Sequence, residues 1–138
     1  VYLAAGLDDG LLGQRVRDGV ASIRWVMEQP GIDARRVVVA GRGLGAVVAL
    51  MSAIAVDGVA GVVYREGPVS IEAAVGADPM GWSLDIFQPN LLRHLDIPDL
   101  IRARRAVFQI DPRDGAGIAR RRDDPAALGA WLQKIWAR

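Results

Sequence analysis

A chain of 138 residues with 51% apolar composition is long enough for one domain, residues 1–138, and buries too much apolar surface on folding to be disordered. Seventeen basic residues against 16 acidic ones leave a net charge of +1, which excludes a long-range field for nucleic acid or an anionic membrane. No cysteine and a single histidine, His94, exclude disulfide scaffolds, thiolate chemistry and polyhistidine metal centres. Sixteen of the 17 basic residues are arginine, Lys134 is the one lysine, and threonine is absent, a signature of codon usage more than of function.

The chain starts Val1-Tyr2-Leu3 with no charged and apolar leader pattern, and the expectation is a segment of a longer polypeptide. Between Gly13 and Glu28 the apolar residues Val16, Val20, Ile23 and Met27 recur at helical spacing among charged ones, which predicts an amphipathic helix. Pro30-Gly31 stops it. Arg36-Val37-Val38-Val39-Ala40 is then a β-branched run of the kind found in a central parallel strand buried on both faces.

Residues 44–56 are apolar throughout except Ser52, predicting a helix buried all round, at about 13 residues too short for a bilayer. Asp57-Gly58 turns into a second strand, residues 59–64, and residues 67–90 read as loop. Asp96 and Pro98 start a helix reaching Arg104, residues 106–110 are a third strand, and Asp124-Pro125 opens a last helix with an apolar stripe of Leu128, Trp131, Leu132, Ile135 and Trp136. The two tryptophans read most simply as core anchors. Strands alternating with helices predict an α/β fold, a three-layer doubly wound parallel sheet with its strands neighbouring in chain order. Ligand sites in such sheets lie beyond the carboxyl ends of the strands, here residues 41–46, 65–70 and 111–117.

Gly41-Arg42-Gly43-Leu44-Gly45-Ala46 lies between the first strand and the apolar helix, and two readings fit it. As a dinucleotide fingerprint, with Ala46 for the last glycine, it would cradle a pyrophosphate, and Glu66 would bind a ribose hydroxyl. As the sharp strand-to-helix turn Gly-x-Ser-x-Gly of the α/β-hydrolases, it carries Gly43 where that motif has serine. Three stretches carry a resemblance: Gly13-Gln14-Arg15-Val16-Arg17-Asp18, Ile23-Arg24-Trp25-Val26 and Gly31-Ile32-Asp33-Ala34-Arg35-Arg36-Val37-Val38-Val39-Ala40-Gly41. Together they resemble the helix, connection and elbow strand of acetyl xylan esterase-like and prolyl-oligopeptidase-like members of the α/β-hydrolase superfamily. Gln88-Pro89-Asn90-Leu91-Leu92-Arg93-His94-Leu95-Asp96-Ile97-Pro98-Asp99-Leu100 looks like the segment before the penultimate strand in large bacterial esterase-like proteins of that group.

The resemblance spans about residues 10–117 and implies a partial α/β-hydrolase fold, with Gly43 at the nucleophile position, Leu44 as backbone oxyanion donor, Asp114 at the triad acid position and Asp111 as the less favoured acid. Acyl transfer of this kind needs a serine, a histidine base and an orienting aspartate, in that superfamily with the histidine after the acid. The elbow has no serine. Ser22 and Ser52 fall in predicted helices, Ser70 and Ser83 in the loop region, and His94 precedes Asp114. Asp111-Pro112-Arg113-Asp114-Gly115 also suits a tight turn. The expectation is a non-catalytic domain of esterase or peptidase ancestry, with no cofactor and no metal, whose ligand is a small-molecule ester or carbohydrate-derived compound. The alternatives are a segment of an active ester hydrolase completed by residues outside this chain, and a dinucleotide-binding domain.

Arg102, Arg104 and Arg105, and Arg120 to Arg122, are basic clusters, but Asp96, Asp99, Asp123 and Asp124 flank them and no aromatic residue interleaves to stack bases. Nucleic acid and membrane are therefore not expected partners. Self-association, or association with the remainder of a parent chain, is expected from strands left at a sheet edge.

Overall fold

The computed structural model describes residues 10–104 and 106–137. Three parallel strands, β1 (Val38–Arg42), β2 (Gly61–Arg65) and β3 (Val107–Ile110), lie side by side in that order. Helix α1 (Leu11–Met27) precedes β1, α2 (Leu44–Ile54) joins β1 to β2, and the short α3 (Ile71–Val75) and α4 (Ile97–Ala103) lie between β2 and β3. Helix α5 (Ala127–Trp136) ends the described chain, and three single 3₁₀ turns occur at Ala34–Arg36, Leu84–Ile86 and Leu91–Arg93. The expected parallel order is the observed one. In register, Val38 faces Gly61 and Arg42 faces Arg65, while Val62 faces Val107 and Arg65 faces Ile110.

Alternation along the strands sorts side chains onto two faces. Val39, Val62 and Val107 stand in register and join the main core, in which Ala46, Val47, Leu50 and Ala53 of α2 have no exposed surface. Leu12 and Ile23 bring the buried stripe of α1 into the same core. Across α1 and α2 the hydroxyl of Ser52 donates to the carbonyl of Val16, 3.2 Å away, which accounts for the one polar residue in the apolar run. Val63 and Phe108 pair in register on the opposite face, where the Trp131 ring lies 5.4 Å from that of Phe108 and against Gly61.

Several boundaries and environments differ from the expectation. The first strand is displaced two residues, from 36–40 to Val38–Arg42, because Ala34–Arg36 form a 3₁₀ turn capped by the Asp33 carboxylate. The strand's place at one edge of the sheet, with β3 at the other, is as expected, but its positions are half-buried and exposed where burial on both faces was expected; the central strand is β2, whose Gly61, Val62, Val63 and Tyr64 are all buried. The second strand likewise begins at Gly61 instead of Val59, and the third at Val107 instead of Ala106. Helix α2 is not buried all round: Gly45 is exposed, and Leu44, Val48, Met51 and Ile54 are half-buried. The stretch read as loop contains α3, because Ser70 accepts a hydrogen bond from the Ala73 amide and caps it.

The start of α4 is as expected and firmer, with Asp96 and Asp99 forming a reciprocal capping box around Pro98. In α5 no residue is fully buried; Trp131 packs on the sheet as an anchor, whereas Trp136 is exposed and its indole donates to the Arg36 carbonyl at 3.0 Å. The two basic clusters are partly tied down: Arg102 pairs with Asp99, Arg121 pairs with Asp123 at 2.8 Å, and the Arg104 guanidinium bonds the Val59 carbonyl, while Arg105 lies outside the described residues. Among the described residues no helix is long and apolar enough to cross a membrane.

Candidate functional site

The residue following each strand has a positive φ: Gly43 at 59° after β1, Glu66 at 50° after β2 and Asp111 at 46° after β3. Two of these three are not glycine, and a non-glycine residue held there carries strain that the surrounding structure must impose. The three turns therefore place Gly43, Glu66 and Asp111 at the carboxyl-terminal edge of the sheet, where a parallel α/β fold places ligands.

At the first turn, Gly43 alone separates β1 from α2, with φ 59° and ψ −124°. Its amide donates to the Arg65 carbonyl at 2.9 Å, pinning the turn to β2, and its carbonyl accepts the Ala46 amide at 3.1 Å. The flanking glycines do different jobs. A Cβ on Gly41 would lie 2.0 Å from the Gly45 carbonyl oxygen, so strand and helix backbones touch there. A Cβ on Gly43 or on Gly45 would meet nothing within 4 Å. Gly41 is required by packing and Gly43 by conformation, and at Gly45 neither constraint applies. Leu44 opens the helix, so its amide belongs to the first four N–H groups that have no intrahelical acceptor and sit at the positive end of the helix dipole.

At the second turn the Glu66 side chain, 11% exposed, gathers three arginines. Arg42 and Arg113 each approach Oε2 at 2.9 Å, and Arg65 approaches Oε1 at 3.3 Å. Arg42 and Arg65 are the last residues of β1 and β2 and stand in register, so their guanidiniums start from adjacent positions. The bond from Arg42, with that from Arg113, holds the Glu66 carboxyl below the usual glutamate range against the opposing effect of burial. Arg113 is fixed further by donating to the Gly117 carbonyl at 2.8 Å. With both oxygens of Glu66 occupied by guanidinium groups, the ribose hydroxyl of the dinucleotide reading would have to displace an ion pair.

At the third turn Asp111 and Asp123 exchange backbone-to-carboxylate bonds, the Asp123 amide donating to Asp111 at 2.8 Å and the Asp111 amide to Asp123 at 2.9 Å. Asp114 forms the next turn. Its Oδ1 accepts the amides of Ala116 at 3.1 Å and Ile118 at 2.9 Å, and its carbonyl accepts the Trp82 indole at 2.7 Å. Both candidate acids thus have turn-forming roles, as the sequence Asp-Pro-Arg-Asp-Gly suggests.

His94 is exposed and follows the 3₁₀ turn Leu91–Arg93, lining a shallow hollow with Glu72, Asp96 and Asp99. Gly43, Leu44 and Asp114 are not among the walls of that hollow, so the one imidazole and the glycine turn are not brought together. Asp96, in the same hollow, takes the Ser70 hydroxyl and the Ile71 and Ile97 amides, each at 2.6 Å, joining the starts of α3 and α4. Among the described residues no group of three or more histidines and carboxylates is arranged to hold a metal ion.

The sequence does not bring the arginines around Glu66 together. Arg42, Arg65 and Arg113 are 23 and 48 positions apart in sequence, and only the register of β1 on β2 and the turn after β3 join them. The available signal was an arginine closing each of two successive strands, followed by a lone glutamate. Compared with protein-family models, curated proteins and solved structures, the chain has no match.

Proposed function

We propose that this chain is an α/β-hydrolase-like domain of esterase or peptidase ancestry that binds without catalysing. In this reading its sheet is part of the three-layer doubly wound sheet of that superfamily. The observation that carries the reading is the turn at Gly43: one residue, at φ 59° and ψ −124°, takes the chain from strand to helix, and its Cβ direction is open. That is the local shape a nucleophile elbow needs to lift a side chain above the sheet. Glycine at this point keeps the shape and removes the attacking oxygen.

Three further observations support a binding role. The Asp114 carboxylate holds its own turn, the walls of the His94 hollow do not include Gly43, and the amide of Leu44, at the first position of α2, is where an oxyanion donor would stand whatever its side chain. The ligand class that fits such ancestry is a small ester or carbohydrate-derived compound lying across the carboxyl ends of the strands. Incubation with activated aryl esters and with a fluorophosphonate probe tests the proposal. The expected result is turnover no faster than buffer and no labelled serine, and stoichiometric labelling of any serine overturns it.

A further inference from the structure

We infer that Arg42, Arg65 and Arg113, organised by Glu66, form a binding site for a small oxyanion, the carboxylate or phosphate group of an organic ligand. The inference stands on the ion cluster and is independent of hydrolase ancestry. Three guanidiniums around one carboxylate leave a local charge of +2 at the end of the sheet where ligands bind. A carboxylate that only needed a partner would need one arginine. The side chains of Arg42 and Arg65 are 70% and 50% exposed, so a ligand can reach both from solvent while one nitrogen of each is anchored on Glu66.

Anchoring is what separates such a group from ordinary surface arginines. A free arginine loses rotamer freedom when it grips an anion, whereas these three are already held by Glu66, and Arg113 also by the Gly117 carbonyl. The Glu66 backbone is strained to deliver its carboxylate to that place, and the Gly43 turn, bonded to the Arg65 carbonyl, presents no side chain beside it. Asp111, Asp114 and Asp123 are the carboxylates of the segment after β3, and each is engaged: Asp111 by the Asp123 amide, Asp114 by the Ala116 and Ile118 amides, and Asp123 by Arg121 and the Asp111 amide. Guanidinium forks match the paired oxygens of carboxylate and phosphate, so both anions fit the same donors.

The test is a titration of the isotope-labelled chain with inorganic phosphate and, separately, with acetate, each at constant ionic strength, followed by the amide signals of Gly43 and Glu66 and the arginine Nε signals. Saturable shifts confined to these groups are expected from at least one anion, and the arm that saturates first identifies the preferred group. Arg42→Gln, an exposed change, should leave the thermal transition in place and weaken binding roughly tenfold or more, the loss of one charge-assisted contact. Glu66→Gln keeps the shape but releases the anchored guanidiniums, so it too should weaken binding by roughly tenfold or more, although it removes a negative charge from the site, an outcome that simple charge attraction does not give. Shifts that never saturate, that spread over the surface, or that are unchanged in Arg42→Gln overturn the inference, as does a Glu66→Gln protein that remains folded and binds the anion as tightly as the wild type or more tightly.

Discussion

Replacing Gly41 by alanine tests whether backbone contact between β1 and α2 fixes the candidate site. The added Cβ would sit 2.0 Å from the Gly45 oxygen, 2.3 Å from its carbonyl carbon and 2.6 Å from the Ala46 nitrogen. All three are backbone atoms, so no rotamer change relieves the overlap. Reaching an acceptable separation of about 3 Å requires α2 to retreat by about 1 Å, and a gap of that size forfeits a quarter to a half of the dispersion energy of the contacts it opens. The face that retreats is the buried one, with Ala46, Val47 and Leu50. The cost therefore falls at or above the upper end for overpacking, about 3 kcal/mol, or roughly 12 °C in Tm for a domain of this size.

The two neighbouring glycines serve as internal controls. Gly43→Ala meets no atom but keeps an unfavourable φ, costing about 1–3 kcal/mol. Gly45→Ala, exposed and unobstructed in the first helical turn, should be neutral or stabilising by up to about 1 kcal/mol. Urea melts followed by far-ultraviolet circular dichroism give the ranking directly. Equal midpoints for Gly41→Ala and Gly45→Ala would refute the argument, because they would mean that strand and helix do not touch.

Gly43→Ser places a hydroxyl at the turn but should leave fluorophosphonate labelling and ester turnover at background, since the hollow that His94 lines does not include Gly43. Tyr64, buried and donating to the Pro68 carbonyl at 2.7 Å, has its phenol pKa pushed far up by burial, with the Asp96 charge adding to it. Folding thus favours the protonated phenol, so this stabilisation is complete below about pH 10 and declines above it; in a spectrophotometric titration Tyr64 should ionise only as the protein unfolds, with Tyr64→Phe removing the delayed step. The carboxyls of Glu66, Asp85, Asp99 and Asp123 are all held low, Asp85 by Ser83 and then by Arg15 at 2.6 Å. Their contribution is present above about pH 4 and should be lost as the pH falls through their lowered values, which acid melts of wild type and Arg15→Met would reveal as a smaller acid sensitivity in the variant. Both outer strands leave one side without a strand partner among the described residues, so light scattering should detect self-association that rises with concentration.

Period and punctuation made the strand order and most helices legible, because β-branched runs and apolar stripes are local patterns. Strand ends are less legible: the β-branched run places Arg36 in β1, yet Asp33 two residues before Arg35 caps a 3₁₀ turn that delays the strand. Helix α3 was missed because Ser70 acts as its cap within a segment dominated by glycine and proline, and its support comes from Asp96, 26 positions later. The glycine segment is legible as a strand-to-helix turn, but the division of labour between Gly41 and Gly45 is not, since identical residues differ only in what stands opposite them. The turn roles of Asp111 and Asp114 were readable from composition. The Glu66 cluster is not legible, because only strand register, together with the turn after β3, converts distant arginines into neighbours.

The bond from the Trp136 indole to the Arg36 carbonyl joins residues 100 positions apart and has consequences for folding kinetics. The first sheet contact, Val38 with Gly61, closes a loop of 23 positions, and Val62 with Val107 closes one of 45. By loop-closure entropy, making the Trp136 contact directly from the unfolded chain costs about 1.3 kcal/mol more than making the first. Once the sheet exists, most of that penalty has already been met. Helix α5 should accordingly dock after β1, β2 and β3 have assembled, and on unfolding it should be the first element to leave, exposing its backbone amides to exchange while those of β2 remain protected.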